Sequence, residues 1–377
     1  MRILNENLVA QYDAALAETD QLLENYYPGD RGVRQPVHTL YVPADRYTPD
    51  LPKRFGQQAL ELVNEHGGMV ELAKAVLSED VYGEALTEQQ IADVAAAVEK
   101  KLATEPIEDL RLDFEDGFGH RSDEEEDAAA VEAGRALAKT WIAGADGDAV
   151  WPTPFAGIRF KCFEADVRHR GLATFDLFLA GLLDEYKNAT GSYQIPEQLV
   201  LTLPKVTTVA QVEVMVAAAK ELEKHYGLEN GTINFEVQVE TPQVILAADG
   251  TVPVAQLIGA GEGRVTSLHY GTYDYSASLG VAAAYQSMEH PVADCAKDVM
   301  QVAIAGTGVH ISDGSTNILP IGDAKQVKKA WALHARLVTR HLRRGIYQGW
   351  DLHPAQLPTR YLATFAFYRS GFDAAAT

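Results

Sequence analysis

Eight short apolar runs recur along the chain, each bounded by turn-forming residues. They are Val37–Val42, Asp109–Phe114, Gly157–Cys162, Gln198–Leu203, Ile233–Val239, Val265–Tyr270, Thr307–Ser312 and Trp350–His353. Runs this short, rich in β-branched and aromatic residues, predict strands. Most are followed by stretches with helical spacing. Asp123–Trp141 opens with acids, where the helix dipole favours them, and Thr207–His225 opens on a threonine cap. Strands alternating with helices build a parallel sheet, and eight such units predict a closed α/β (β/α)8 TIM barrel.

Two parts of the chain depart from the alternation. The stretch from Arg46 to Pro106 is too long for one crossover and contains helical pieces at Phe55–His66 and Glu88–Leu102. Residues 46–106 are therefore expected to form a helical insertion after the first strand. The segment ahead of Val37 reads as a leading amphipathic helix. Residues 354–377 are expected to form a C-terminal helix or tail around the aromatic stretch Arg360–Arg369, lying against the barrel or a neighbouring subunit. No linker or repeat divides residues 1–377, so a single barrel domain is expected.

Composition narrows the picture. Hydrophobic residues make up 47% and charged residues 23%, an ordinary globular balance. No apolar run approaches the roughly 20 residues that cross a bilayer. MRILNENLVAQYD lacks the basic flank and apolar stretch of a signal peptide, so a cytoplasmic location is expected. Cys162 and Cys295 sit in apolar segments and read as buried free thiols of a reducing compartment. Thirty-two basic residues against 53 acidic ones give a net charge of −21. That excludes nucleic acid and anionic membrane as expected partners, because phosphate contacts need a basic face. A small anionic substrate stays open, since a few arginines and a cation reverse the potential within one cleft.

Ligands of parallel α/β sheets bind outside the carboxyl ends of the strands. Read there, the sequence offers Asp113, Glu115 and Asp116 after the second strand, Arg159 on the third and Lys205 after the fourth. Glu240 ends the fifth, Asp274 follows the sixth, Ser312 and Asp313 end the seventh, and His353 ends the eighth. Glu240 and Asp274, on adjacent strand ends, suit one hard divalent cation with open positions for water and substrate oxygens. Such a cation polarises a carbonyl and stabilises an enolate. The planar fork of Arg159 suits a carboxylate or enolate oxygen. Lys205 reads as a salt-bridging cation or a Schiff-base amine.

Taken together, LYVPADR, DFEDGFG, IRFK, TLPKV, VQVETPQ, GTYDYSASLG, ISDG and DLHPAQ resemble, in order, the motifs of the citrate lyase beta-subunit and HpcH/HpaI aldolase superfamily, to which malyl-CoA lyases and malate synthases are related. The resemblance runs from about His38 to Gln356. It implies a barrel of the phosphoenolpyruvate/pyruvate type. It implies Mg2+, or Mn2+ in its place, on Glu240 and Asp274. Arg159 would contact substrate oxygens, Glu115 and Asp116 would line the pocket with Lys205, and Gly271, Thr272, Tyr273 and His353 would contact substrate. It further implies a homotrimer or homohexamer. Where relatives carry Arg-Val-Asn, this chain has Arg159-Phe160-Lys161, and Tyr273 and Tyr275 flank Asp274. In thioester-cleaving relatives a tail acid from a neighbouring subunit assists, a part that would fall to Asp373.

The expected activity is Mg2+-dependent carbon–carbon cleavage of a 2-oxo or 2-hydroxy acid through a metal-stabilised enolate. One alternative is acyl-CoA-dependent Claisen chemistry of the malyl-CoA lyase or malate synthase kind. Another is a catalytically silent barrel used as a binding or scaffold protein.

Overall fold

The computed structural model describes residues 3–82, 86–145 and 153–375. Eight parallel strands form one sheet: β1 (His38–Pro43), β2 (Asp109–Asp113), β3 (Phe155–Arg159), β4 (Leu201–Leu203), β5 (Phe235–Val239), β6 (Val265–Tyr270), β7 (His310–Ser312) and β8 (Gly349–Asp351). Neighbours in sequence are neighbours in space from β1 to β7, and β8 returns to pair with β1. A parallel bridge between Ser312 and Gln348 joins β7 to the start of β8 and closes the barrel.

Helices run in chain order as α1 (Glu6–Tyr26), α2 (Leu51–Glu65), α3 (Met69–Val76), α4 (Glu79–Tyr82), α5 (Glu88–Thr104), α6 (Asp123–Ala145) and α7 (Arg168–Thr190). They continue with α8 (Val209–Tyr226), α9 (Pro253–Ala260), α10 (Thr272–Ser278), α11 (Pro291–Ile304), α12 (Ala324–Arg343) and α13 (Leu357–Ala375). No described helix is long and apolar enough to cross a membrane.

The period of two along each strand sorts side chains to the two faces. Leu40, Leu112, Ile158, Leu203, Val237 and Leu268 face outward into the main apolar core beneath the helices. The inward face is polar. Arg111 donates to Asp109 Oδ2 at 2.7 Å and to Glu236 Oε2 at 3.0 Å, and Glu236 also accepts from Thr202 Oγ1 at 2.5 Å. Buried charges persist where partners and hydrogen bonds offset their lost hydration, and these have both.

Helices α2 to α5 fill the chain between β1 and β2. They share a second apolar cluster with α12 and α13, built on residues such as Val63, Leu72, Val98, Trp331 and Tyr361. An ionic lock ties α13 to the barrel. Arg360 donates through Nε and Nη2 to Asp351 of β8, at 3.1 and 2.9 Å, and its Nη1 lies 2.8 Å from His341 Nε2.

Several expectations need adjustment. Cys162 is buried, but Cys295 is exposed. In α11 the buried face is Ala293, Ala296, Lys297 and Met300, and Cys295 points the other way. Apolar neighbours in sequence did not reveal that helical phase. The third strand ends at Arg159 rather than Cys162, and the fourth begins at Leu201 rather than Gln198. The side chain of Asp373 lies outside the described residues.

Candidate active site

The carboxyl end of β2 organises the site. Asp113 accepts Glu115 N at 3.1 Å and Gly117 N at 2.8 Å, curling the DFEDGFG turn back onto the strand end. Gly117 is needed there, because a Cβ at that position would sit 2.6 Å from Asp113 Oδ2. The same carboxylate receives a bidentate fork from Arg159, with Nε and Nη2 both at 2.7 Å. Burial alone would raise the Asp113 pKa, but Arg159 holds it below the usual carboxylate value.

Arg159 is buried, with its guanidinium carbon 4.8 Å from the centre of the Tyr41 ring. Its remaining nitrogen, Nη1, lies 3.3 Å from Glu115 Oε2 and 3.5 Å from Gln238 Oε1. Gln238 in turn donates to the Tyr41 hydroxyl at 2.9 Å. Tyr41 and Gln238 are thus site residues that the strand-end reading missed. A signal existed: Glu236, Gln238 and Glu240 alternate along β5, so all three face the barrel axis.

Lys205 follows Pro204 with φ +48°, one of two described non-glycine residues with positive φ. This turn carries its backbone N–H to Glu240 Oε2 at 3.0 Å. Its ammonium lies 2.8 Å from Glu115 Oε1, 2.9 Å from Asp116 Oδ1 and 3.8 Å from Asp274 Oδ2. Burial pulls its pKa down, but Glu115 and Asp116 outweigh burial and drive it up. An ammonium held this firmly is no free amine, so the geometry fits the salt-bridging reading of Lys205 and not the Schiff-base one.

Glu240 is 3% exposed. Burial, with Glu115 and Asp274 adding repulsion, pushes its pKa up to about 8 against the pull of Arg159. It reaches this place because a glycine, Gly271, follows β6. A Cβ on Gly271 would lie 2.3 Å from Glu240 Cγ and 2.6 Å from its Oε1. Asp274 stands in the first turn of α10 and is about half exposed. Glu115 is nearly buried, and its Oε2 has no hydrogen-bond partner. Burial raises its pKa as well.

Glu115, Asp116, Arg159, Lys205, Glu240 and Asp274 therefore converge. Thr272 opens α10 and is buried, its unpartnered hydroxyl against Gly314 in the loop after β7. Tyr273 accepts Asn317 N on its phenol oxygen at 2.6 Å, tying α10 to the loop after β7. His353 caps the turn Pro354–Gln356, its Nδ1 accepting Ala355 N at 3.1 Å, and no ion pair or hydrogen bond among the described residues joins it to the acids. Lys161, standing where relatives carry asparagine, pairs with Glu126 of α6 and Phe114 O.

Five carboxylates (Asp113, Glu115, Asp116, Glu240, Asp274) face two cations here, and burial together with that excess raises the Glu240 pKa. A hard cation fits that imbalance. Among the described residues no three acidic, histidine or cysteine side chains close on one point. Glu240 and Asp274 are the pair that could share a hard cation, which would have to complete its shell with water and substrate oxygens.

A family model described as "Domain of unknown function (DUF6986)" matches residues 16–377. No curated protein sequence matches the chain. Solved structures do match in fold. Malate synthase of Haloferax volcanii, in a magnesium/glyoxylate complex, is 13% identical with a TM-score of 0.54 over 88% of this chain and 75% of that one. A pyruvate/acetyl-CoA ternary complex of the same enzyme gives 15% and 0.53, over 88% and 70%. A citrate lyase from Burkholderia xenovorans gives 17% and 0.53, over 90% and 84%. At such identities the likeness establishes the barrel, and it is the fold that the motif resemblance implied.

Proposed function

We infer that this chain, which belongs to the DUF6986 family, is an enzyme that makes or breaks a carbon–carbon bond beside a carbonyl in a 2-oxo or 2-hydroxy acid. One observation carries the reading. A buried carboxylate, Glu240, is destabilised as an anion by burial and by neighbouring acids, in the field of a buried, pre-oriented arginine. That pairing is costly for stability and useful for chemistry that develops negative charge on oxygen.

Glu240 and Asp274 would hold Mg2+, with Glu115 and Asp116 close enough to order its water. The cation, when bound, supplies Lewis acidity to a substrate oxygen. The other roles belong to the chain. Asp113 and Tyr41 fix the plane of Arg159, and Nη1, which has only the longer contacts to Glu115 and Gln238, would be the donor to a substrate oxygen. Lys205 adds a second positive charge at the mouth and holds Glu240 through its backbone. The fold neighbours support this reading, since malate synthase has been captured with magnesium and glyoxylate.

Purified protein is tested with Mg2+ and either free 2-hydroxy acids or acyl thioesters, following pyruvate or glyoxylate release. Turnover of free acids supports the aldol reading. Turnover confined to thioesters transfers the assignment to Claisen chemistry. A Glu240→Gln variant that binds Mg2+ as the parent does, by calorimetry, rules out the metal site and leaves a scaffold barrel.

A further inference from the structure

The barrel also holds a cavity at the amino ends of its strands, opposite the carboxylate mouth. It measures about 710 Å³ and is lined from the starts of β2, β3 and β5 and from the chain just ahead of β1 and β4. Asp109 and Glu236, which face the barrel axis, reach it from within, and Phe155 and Leu199 give it apolar walls. A space of this size suits a small organic molecule.

The two carboxylates are unequally served. Glu236 Oε1 accepts Thr202 Oγ1 at 2.5 Å and Tyr41 OH at 3.3 Å. Its Oε2 accepts Arg111 Nη2 at 3.0 Å and lies 3.1 Å from His269 Nε2. Trp350 Nε1 donates to His269 Nδ1 at 3.1 Å, so the ring N–H that faces Glu236 is the one on Nε2. Asp109 is engaged on one side only. Its Oδ2 accepts Thr39 Oγ1 at 2.9 Å and Arg111 Nη2 at 2.7 Å. Its Oδ1 has no partner, although the residue is only 2% exposed. An open acceptor in the interior is destabilising, and more so on a charged group. Charge shows the same deficit, because both carboxylates share one guanidinium, that of Arg111. Burial raises the Asp109 pKa, as fits a carboxylate short of one cation. At the cavity mouth the charges offset one another. Arg31 and Glu197 are both exposed there, and Arg34 is paired with Glu105 at 2.5 Å.

We propose that this cavity binds a small aliphatic primary amine, its ammonium donating to Asp109 Oδ1 and its alkyl chain lying against Phe155 and Leu199. The floor calls for a positive charge and an N–H together. Water or an alcohol would fill the open acceptor and leave the charge uncompensated, and an anion would be repelled. A metal ion is poorly served, since among the described residues no three acidic, histidine or cysteine side chains close on one point. The cavity lies at the end of the barrel remote from Glu240, so the proposal does not rest on the reaction assigned above.

The test is calorimetric titration of the chain with n-butylamine, n-butanol and tetramethylammonium, in excess Mg2+ to compete for the acidic mouth. n-Butylamine is expected to bind. Butanol lacks the charge and tetramethylammonium lacks the N–H, so each is expected to bind roughly tenfold more weakly or worse. Asp109→Asn keeps the shape of the side chain and removes its charge, and is expected to weaken n-butylamine by a similar factor, with its fold checked by thermal melting. If that variant does not fold, a crystal of the parent soaked in n-butylamine decides. A nitrogen within hydrogen-bond distance of Asp109 Oδ1 upholds the proposal, and a water in that place overturns it. A parent that does not bind n-butylamine overturns it too, as does equal binding of tetramethylammonium, or n-butylamine binding that Asp109→Asn leaves unchanged.

Discussion

Replacing Gly271 by alanine is the sharpest perturbation the site allows. Its backbone is unstrained for alanine (φ −99°), so the effect is one of space alone. The new methyl would lie 2.3 Å from Glu240 Cγ and 2.6 Å from Oε1. Ordinary carbon contacts begin near about 3.5 Å, so Glu240 must retreat by roughly 1 Å. It has little freedom, being buried and held by Lys205 N at 3.0 Å. Overpacking of this kind costs about 1–3 kcal/mol. With unfolding entropy scaling by chain length, that lowers the melting temperature by only a few degrees, roughly 1 °C per kcal/mol. The larger effect falls on the metal, because shifting a ligand or its support weakens binding about 10- to 100-fold. Calorimetric titration of Mg2+ into parent and variant reads it directly. A variant whose Mg2+ affinity is unchanged, with the fold intact, would refute the assignment of Glu240 as a ligand.

Other perturbations follow from the same geometry. Arg159→Lys removes the bidentate fork to Asp113 and should lower kcat by roughly 10²- to 10³-fold with little change in Mg2+ affinity; a loss under tenfold would remove Arg159 from the chemistry. Lys205→Met withdraws an ammonium 3.8 Å from Asp274. In a watery mouth that relieves about 1–2 kcal/mol of repulsion towards a divalent ion, so Mg2+ should bind roughly 5- to 30-fold tighter while turnover falls; weaker binding would contradict the reading. Finally, burial and then Arg360 hold His341 down to about 3, against 6.5 when unfolded. A depressed pKa gives stability that is complete above the unfolded value and is lost as pH falls from about 6.5 towards 3. By pH 5 the loss is about 2 kcal/mol. A His341→Gln variant should flatten that part of the pH–stability curve measured by urea unfolding, and an unaltered slope would exclude His341 as its source.

The eight strands and their order were legible because each is a run of outward-facing apolar residues ended by a turn, and alternation with helices permits few topologies. Residues at the carboxyl ends, such as Glu240 and Asp274, could be singled out for the same reason: a parallel barrel gathers them on one face wherever they lie in sequence. Three features were decided by tertiary structure alone. Tyr41 became part of the site because barrel closure brings β1 opposite β5; alternation along β5 marks Gln238 as facing inward, but no local pattern sets Tyr41 against it. His353 caps a turn beside its strand end, since the helix that follows needs a partner for Ala355 N. The elevated pKa of Glu240 depends first on its own burial and then on Glu115 and Asp274 being brought near it, a property of solvent exclusion and assembly that linear sequence does not encode. Local hydrophobic patterning thus determined the frame, and the electrostatics of its mouth emerged only when the frame closed.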